Sequence, residues 1–104
     1  MSYAESIVAL ADPTRRQLFE LLAAHPGPVG ALAEHLPVSR PAVSQHLKVL
    51  SEAGLVTVRA EGTRRIYAVR REGLAELRAW IDGFWDDVLA GFEAEVLARK
   101  GNDT

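Results

Sequence analysis

The chain has 104 residues, with 12 Lys and Arg against 14 Asp and Glu, a formal net charge of −2 and no cysteine. That length supports one small domain with a modest core, and the lack of cysteine excludes disulfides, thiolate metal sites and thiol redox sensing together. No apolar run approaches a membrane span and no basic stretch leads into an apolar one near the start, so a cytoplasmic protein without a secretion signal is expected.

A first helix is expected around Tyr3, Ile7 and Leu10. Asp12 and Pro13 open the next, as N-cap and first helical residue, and Leu18, Leu21 and Leu22 supply its core contacts. Arg15 and Arg16 fall in its first turn, where cations oppose the helix macrodipole. A nearby anion reverses that sign. A DNA phosphate is the functional candidate, and an Arg16–Glu20 pair at i, i+4 is the structural alternative.

Val29, Leu32, Ala33 and Leu36 follow i, i+3, i+4, i+7, which predicts a short helix over Val29 to Leu36, stopped by Pro37. Pro37-Val38-Ser39 is a tight connection. The following helix has Ser39 or Arg40 as its cap and Pro41 in its first turn. Val43, Leu47 and Leu50 share one inward face, so Pro41, Gln45, Lys48 and Glu52 point outward with Ser44 on their flank. Glutamine can bond adenine in bidentate fashion, serine can reach base edges, and lysine can meet a phosphate or guanine. Taken alone, the segment also fits an ordinary amphipathic surface helix. Two short helices in this order make a helix-turn-helix whose second member is the recognition helix.

Gly54 is a natural terminator, and beyond it the period changes from helical to alternating. Leu55 to Ala60, the polar turn Glu61-Gly62-Thr63-Arg64, and Arg65 to Arg70 predict a β-hairpin placed as the wing of a winged helix. Arg64 and Arg65 near its tip suit a narrow, electronegative minor groove. Charges at that place also guard an edge strand against aggregation.

From Glu72 to about Arg99 a long helix carries two apolar rows, Leu77-Ile81-Phe84-Val88 and Trp85-Leu89-Phe92-Val96. Two adjoining rows exceed what docking one helix requires, and the surplus predicts a dimer in which they meet the same helix, or the one around Tyr3, Ile7 and Leu10, of a second copy. The expected interface comprises Tyr3, Ile7, Leu77, Ile81, Phe84, Trp85, Val88, Leu89 and Phe92. Gly83 and Gly91 each weaken the helix by about 1 kcal/mol relative to alanine, and either permits close approach or a bend. Folding back at Gly91 is the intramolecular alternative.

The charge is unevenly placed. Residues 40–71 hold Arg40, Lys48, Arg59, Arg64, Arg65, Arg70 and Arg71 against Glu52 and Glu61, a net +5, whereas residues 72–104 carry a net −5. A protein with one DNA-facing surface and one remote acidic end shows this asymmetry.

In the order and spacing of Leu10-Ala11-Asp12-Pro13-Thr14-Arg15-Arg16, Val43-Ser44-Gln45-His46-Leu47-Lys48-Val49-Leu50, Glu52-Ala53-Gly54-Leu55-Val56 and the wing Arg59 to Tyr67, the chain resembles the ArsR/SmtB-type winged-helix repressors of bacteria and archaea, from Ile7 to about Phe92. The resemblance implies a cytoplasmic homodimeric transcriptional repressor that joins through its first and last helices. It also implies that Ser39, Arg40, Ser44, Gln45 and Lys48 address the major groove, and Pro41 is counted with them. The expected organisation is a single domain over residues 1–104, mostly α with a small β-hairpin: helix-turn-helix about 29–54, wing about 55–70, dimerisation helix about 72–99.

The family's metal sites do not carry over. The thiolate site would lie in the helix from Val29 to Leu36, where Ala31, Ala33, Glu34 and His35 stand. The dimer-helix site pairs His with Asp or Glu; Asp82 and Asp86 fall at i, i+4, but no histidine follows His46. Carboxylates alone favour hard ions, so no metal or other cofactor is expected. His25 lies in a loop, His35 is expected exposed, and His46 sits at the edge of the buried face as a packing or capping residue, with a phosphate contact as the alternative. No nucleophile with a positioned base and no phosphate loop occurs, which argues against an enzyme. A winged-helix protein–protein module without DNA binding is the alternative function, and its recognition face would be apolar or acidic.

Overall fold

Helix, capped turn and hairpin follow one another as local chemistry dictates. The computed structural model describes residues 3–102, as α1 (Tyr3–Ala11), α2 (Pro13–Ala24), α3 (Val29–Ala33), α4 (Arg40–Glu52), β1 (Val56–Glu61), β2 (Arg64–Val69) and α5 (Arg71–Asn102). Leu18, Leu22, Leu32, Val43, Leu47, Leu50 and Leu55 form the centre of the core, each at most 2% exposed. Around them α4 packs on α1, α2, α3 and β1.

Capping resolves the helix boundaries. Asp12 Oδ1 accepts from the Arg15 N–H at 3.0 Å at the start of α2, with Pro13 as the first helical residue. At the start of α4 the cap is Ser39 rather than Arg40, its Oγ accepting from the Ala42 N–H at 3.3 Å. α4 ends in a Schellman arrangement: Gly54 adopts φ 78°, its N–H bonds the Ser51 carbonyl, and the Leu55 N–H bonds the Leu50 carbonyl, both at 3.0 Å. Leu50 and Leu55, the two residues that motif brings together, are both fully buried.

α3 is shorter than its apolar spacing predicts. It closes at Ala33, after which the His35 and Leu36 N–H groups bond the Leu32 and Ala33 carbonyls three residues back. Tightening into i→i−3 turns still packs Leu36 against the core. The hairpin is antiparallel with register Val56↔Val69 through Glu61↔Arg64, each strand displaced by about one residue from the sequence reading. Gly62, at φ 63°, occupies the first position of the two-residue loop, where tight hairpins take glycine. A third edge joins unforeseen: Gly27 exchanges two backbone hydrogen bonds with Tyr67, at 3.0 and 2.9 Å, and ties the α2–α3 loop to the wing.

α5 runs unbroken through Gly83 and Gly91, so no fold-back occurs. Its first turns dock on the domain through Gly73 and Leu77, both buried, and half-buried Trp80, at i, i+4, i+7. Leu77, expected in the dimer interface, is 9% exposed and belongs instead to its own protomer's packing. Tyr3 of α1 stacks on Trp80 with centroids 4.9 Å apart, and Trp80 on Phe84 at 5.8 Å. Residues 81–100 are exposed throughout. The radius of gyration is accordingly 19.3 Å, against about 13 Å for a compact chain of this length.

Candidate nucleic-acid interface

α4 presents the rotation its spacing predicts. Val43, Leu47 and Leu50 are at most 1% exposed, and Ser39, Arg40, Pro41, Ser44, Gln45 and Lys48 are all exposed. Among the described residues no carboxylate lies within ion-pair distance of Arg40, Lys48, Arg64 or Arg65. The Arg40 guanidinium folds back over Gly30 of α3, and a Cβ on Gly30 would overlap it. His46 is half-buried at the flank of the helix.

The wing places its two tip arginines on opposite faces, because consecutive strand residues alternate. Arg65 shares a face with Ala60, Val58 and Tyr67, and Arg64 shares the other with Glu61, Arg59 and Ile66. Arg59 is engaged on that second face in an exposed ion pair with Glu61 at 3.2 Å. Arg64 and Arg65 are thus the free cations of the tip among the described residues.

Arg15 and Arg16 sit differently from the other cations. Arg15 Nε donates to the Ala9 carbonyl at 2.7 Å and Arg16 Nη1 donates to the Leu10 carbonyl at 3.2 Å. Both guanidinium groups therefore cap the C-terminus of α1, where the macrodipole favours cations. This geometry supplies the structural partner, and that partner is the preceding helix end rather than Glu20. Arg16 remains exposed and Arg15 is half-buried.

On the far side, α5 and α1 expose an apolar surface. Ile81, Phe84, Trp85, Val88, Leu89, Phe92 and Val96 are each 38–62% exposed, Tyr3 and Ile7 are at 44% and 40%, and Leu97 reaches 68%. Leu97 and half-buried Trp80, which stacks on Tyr3, both lie outside the two rows read from sequence. Among the described residues no three His, Cys, Asp or Glu side chains gather as a metal-binding group. No helix there is long and apolar enough to cross a membrane.

Comparison with known proteins agrees with this geometry. The family profile described as "Helix-turn-helix domain" matches residues 10–59. The HTH-type transcriptional regulator Rv2034 of Mycobacterium tuberculosis is 55% identical over 96 residues, covering 92% of this chain and 89% of its own length. The transcriptional repressor SdpR of Bacillus subtilis is 32% identical over 76 residues, covering 73% of this chain and 84% of its own. Among solved structures, the homodimeric winged helix-turn-helix DNA-binding domain of Mb0332 from Mycobacterium bovis, described as a possible ArsR-family regulator, superposes with a TM-score of 0.65 at 34% identity, over 81% of this chain and 78% of that one.

The fold and the exposed polar helix define a winged helix-turn-helix DNA-binding transcriptional regulator. The chain belongs to the ArsR-type family of such regulators.

Proposed function

We propose that the protein is a homodimeric repressor that binds a pseudo-palindromic operator, each protomer laying α4 in one major groove. The observation carrying this reading is the rotation of α4: its apolar stripe is sealed in the core while Ser44, Gln45 and Lys48 stand outward, and among the described residues no carboxylate lies within ion-pair distance of Lys48. Gln45 and Ser44 read base edges; Ser39, Arg40 and Lys48 hold phosphates or guanine, and Pro41 sets the close approach of the first turn. Arg64 and Arg65 straddle the backbone beside the minor groove from the two faces of the wing. Arg16 adds a phosphate contact, while Arg15 joins α1 to α2 behind it.

Dimerisation through α1 and α5 is supported by their continuous exposed apolar surface and by the homodimeric state described for the M. bovis domain. It places the acidic α5 away from DNA and two recognition helices about one helical turn apart, 34–36 Å. Repression then follows from occupancy of the operator. Selection from random duplexes, followed by binding titrations at several salt concentrations, tests the reading. An enriched inverted repeat bound more tightly than random DNA is expected; enrichment of single half-sites bound by one protomer would overturn the dimeric operator.

A further inference from the structure

The C-terminal end of the recognition helix is gripped by the dimer helices of its own protomer. On one side Ser6 of α1, itself buried, directs its Oγ at the Ala53 carbonyl, 3.5 Å away. On the other the first turn of α5 rests on Gly54: a Cβ on Gly73 would overlap the Gly54 carbonyl, with the carbonyl carbon only 2.9 Å from it. The same Gly54 oxygen accepts from Arg70 Nη1 at 3.3 Å, and the Arg70 N–H bonds the Leu55 carbonyl at 2.8 Å.

This obstruction is of backbone against backbone, and neither side has a torsion free to swing away. Gly54 is fixed at φ 78° by the Schellman bonds that end α4. Gly73 is fixed inside a helix whose next inward residue, Leu77, is anchored in the domain. Any side chain at position 73 must therefore lift or rotate the start of α5 relative to the end of α4. Because α5 projects from this joint for residues 81–100, a small rotation there is levered into a larger displacement along the helix.

We infer that Gly73 is a positioning residue for DNA recognition: its bare Cα seats α5 on the Gly54 carbonyl and thereby sets the half-site spacing the dimer accepts. The inference rests on the reading of the protein as a dimer joined through α5. Gly73 is buried and precedes the exposed residues 81–100 of α5, so its substitution leaves the chemistry of both surfaces in place. Only their relative placement changes. Arg70 acts on the same carbonyl and shares the role.

The test compares the wild type, Gly73→Ala and Arg70→Met on duplexes carrying the selected inverted repeat at its natural spacing, at spacings altered by one or two base pairs, and on a single half-site. Sedimentation and circular dichroism accompany each titration. The wild type is expected to show a sharp spacing optimum. Gly73→Ala, still dimeric, is expected to lose about tenfold or more in affinity at that spacing, to recover part of it at an altered spacing, and to bind the single half-site as the wild type does. Arg70→Met removes the hydrogen bond to Gly54 without adding bulk. It is expected to broaden the optimum, and this reading keeps the proposal decidable if the alanine variant does not fold. A folded, dimeric Gly73→Ala with the wild-type optimum and affinity overturns the inference alone, as does an unaltered optimum in Arg70→Met when the alanine variant cannot be obtained. A wild type indifferent to spacing overturns the dimeric reading and the inference with it.

Discussion

The Arg15 guanidinium donates to the Ala9 carbonyl across the break between the first two helices, at 2.7 Å. A cation at the start of α2 is unfavourable for that helix alone, yet the same charge lies at the C-terminal end of α1, where exposed carbonyls and the dipole welcome it. Arg15→Ala is accordingly expected to lower stability by about 1.5–3 kcal/mol, the scale of a hydrogen bond to a charged group. Denaturant titration measures this. Binding of the folded variant should keep the wild-type salt slope, and a slope reduced by a full unit would return Arg15 to the DNA surface.

Asp12 completes that joint from the other side. The Arg15 backbone N–H bonded to its carboxylate holds the Asp12 pKa below its ordinary value, opposed by desolvation and aided further by the Arg15 charge. A folded-state pKa that is depressed contributes stability above the ordinary aspartate range and loses it as pH falls through the folded-state value. The stability deficit of Asp12→Ala is thus expected to be full at neutral pH and to shrink in acid. Urea midpoints measured from neutral to acidic pH follow it; a deficit constant across that range would mean the carboxylate charge plays no part.

α4 was legible because its apolar stripe is narrow: only one rotation buries Val43, Leu47 and Leu50 together, and a serine and a glycine mark its ends. α5 was less so, for it carries more apolar positions than the domain can cover. Its inward stripe is selected by Gly73, which has no side chain for a hydropathy pattern to register, and by Trp80 against Tyr3, a contact between residues far apart in sequence. Leu77 was therefore assigned to the wrong partner. The capping of α1 by Arg15 and the Gly27–Tyr67 bridge likewise depend on tertiary geometry, not on local period.

The revised inward stripe separates two kinds of α5 variant. Phe84→Glu with Val88→Glu places charge on positions 58% and 45% exposed in the protomer, so the chain should stay folded while sedimentation shifts to the monomer. Leu77→Ala should instead cost the protomer about 2–5 kcal/mol, as for other buried leucines. An unchanged oligomer in the double glutamate variant would remove α5 from the interface.

DNA binding is expected to be indifferent to chelator. The sequence lacks cysteine and has no histidine after His46, so neither EDTA nor added zinc should change operator affinity. Calorimetric zinc titration beside a binding assay checks this. A stoichiometric zinc complex that releases the operator would count against it.

Recognition helix and wing should fail in different ways. Gln45 stands outward from α4 at a position suited to a base edge, so Gln45→Ala is expected to cost roughly 1–3 kcal/mol per half-site on the preferred base and little on random DNA. Arg64 lies on the wing face where Arg59 is already paired with Glu61, and its proposed role is to act through charge on the DNA backbone. Arg64→Ala should weaken binding to most sequences and lower the salt slope by about one unit per protomer. Arg65, on the opposite face beside Tyr67, offers a control: if the minor groove receives only one side of the wing, one of the two arginines carries most of the effect. Titrating the three variants against operator and random duplexes across salt concentrations separates these contributions. Equal losses of Gln45→Ala on both duplexes would make that residue a backbone contact and shift the reading edge of α4 by one helical position.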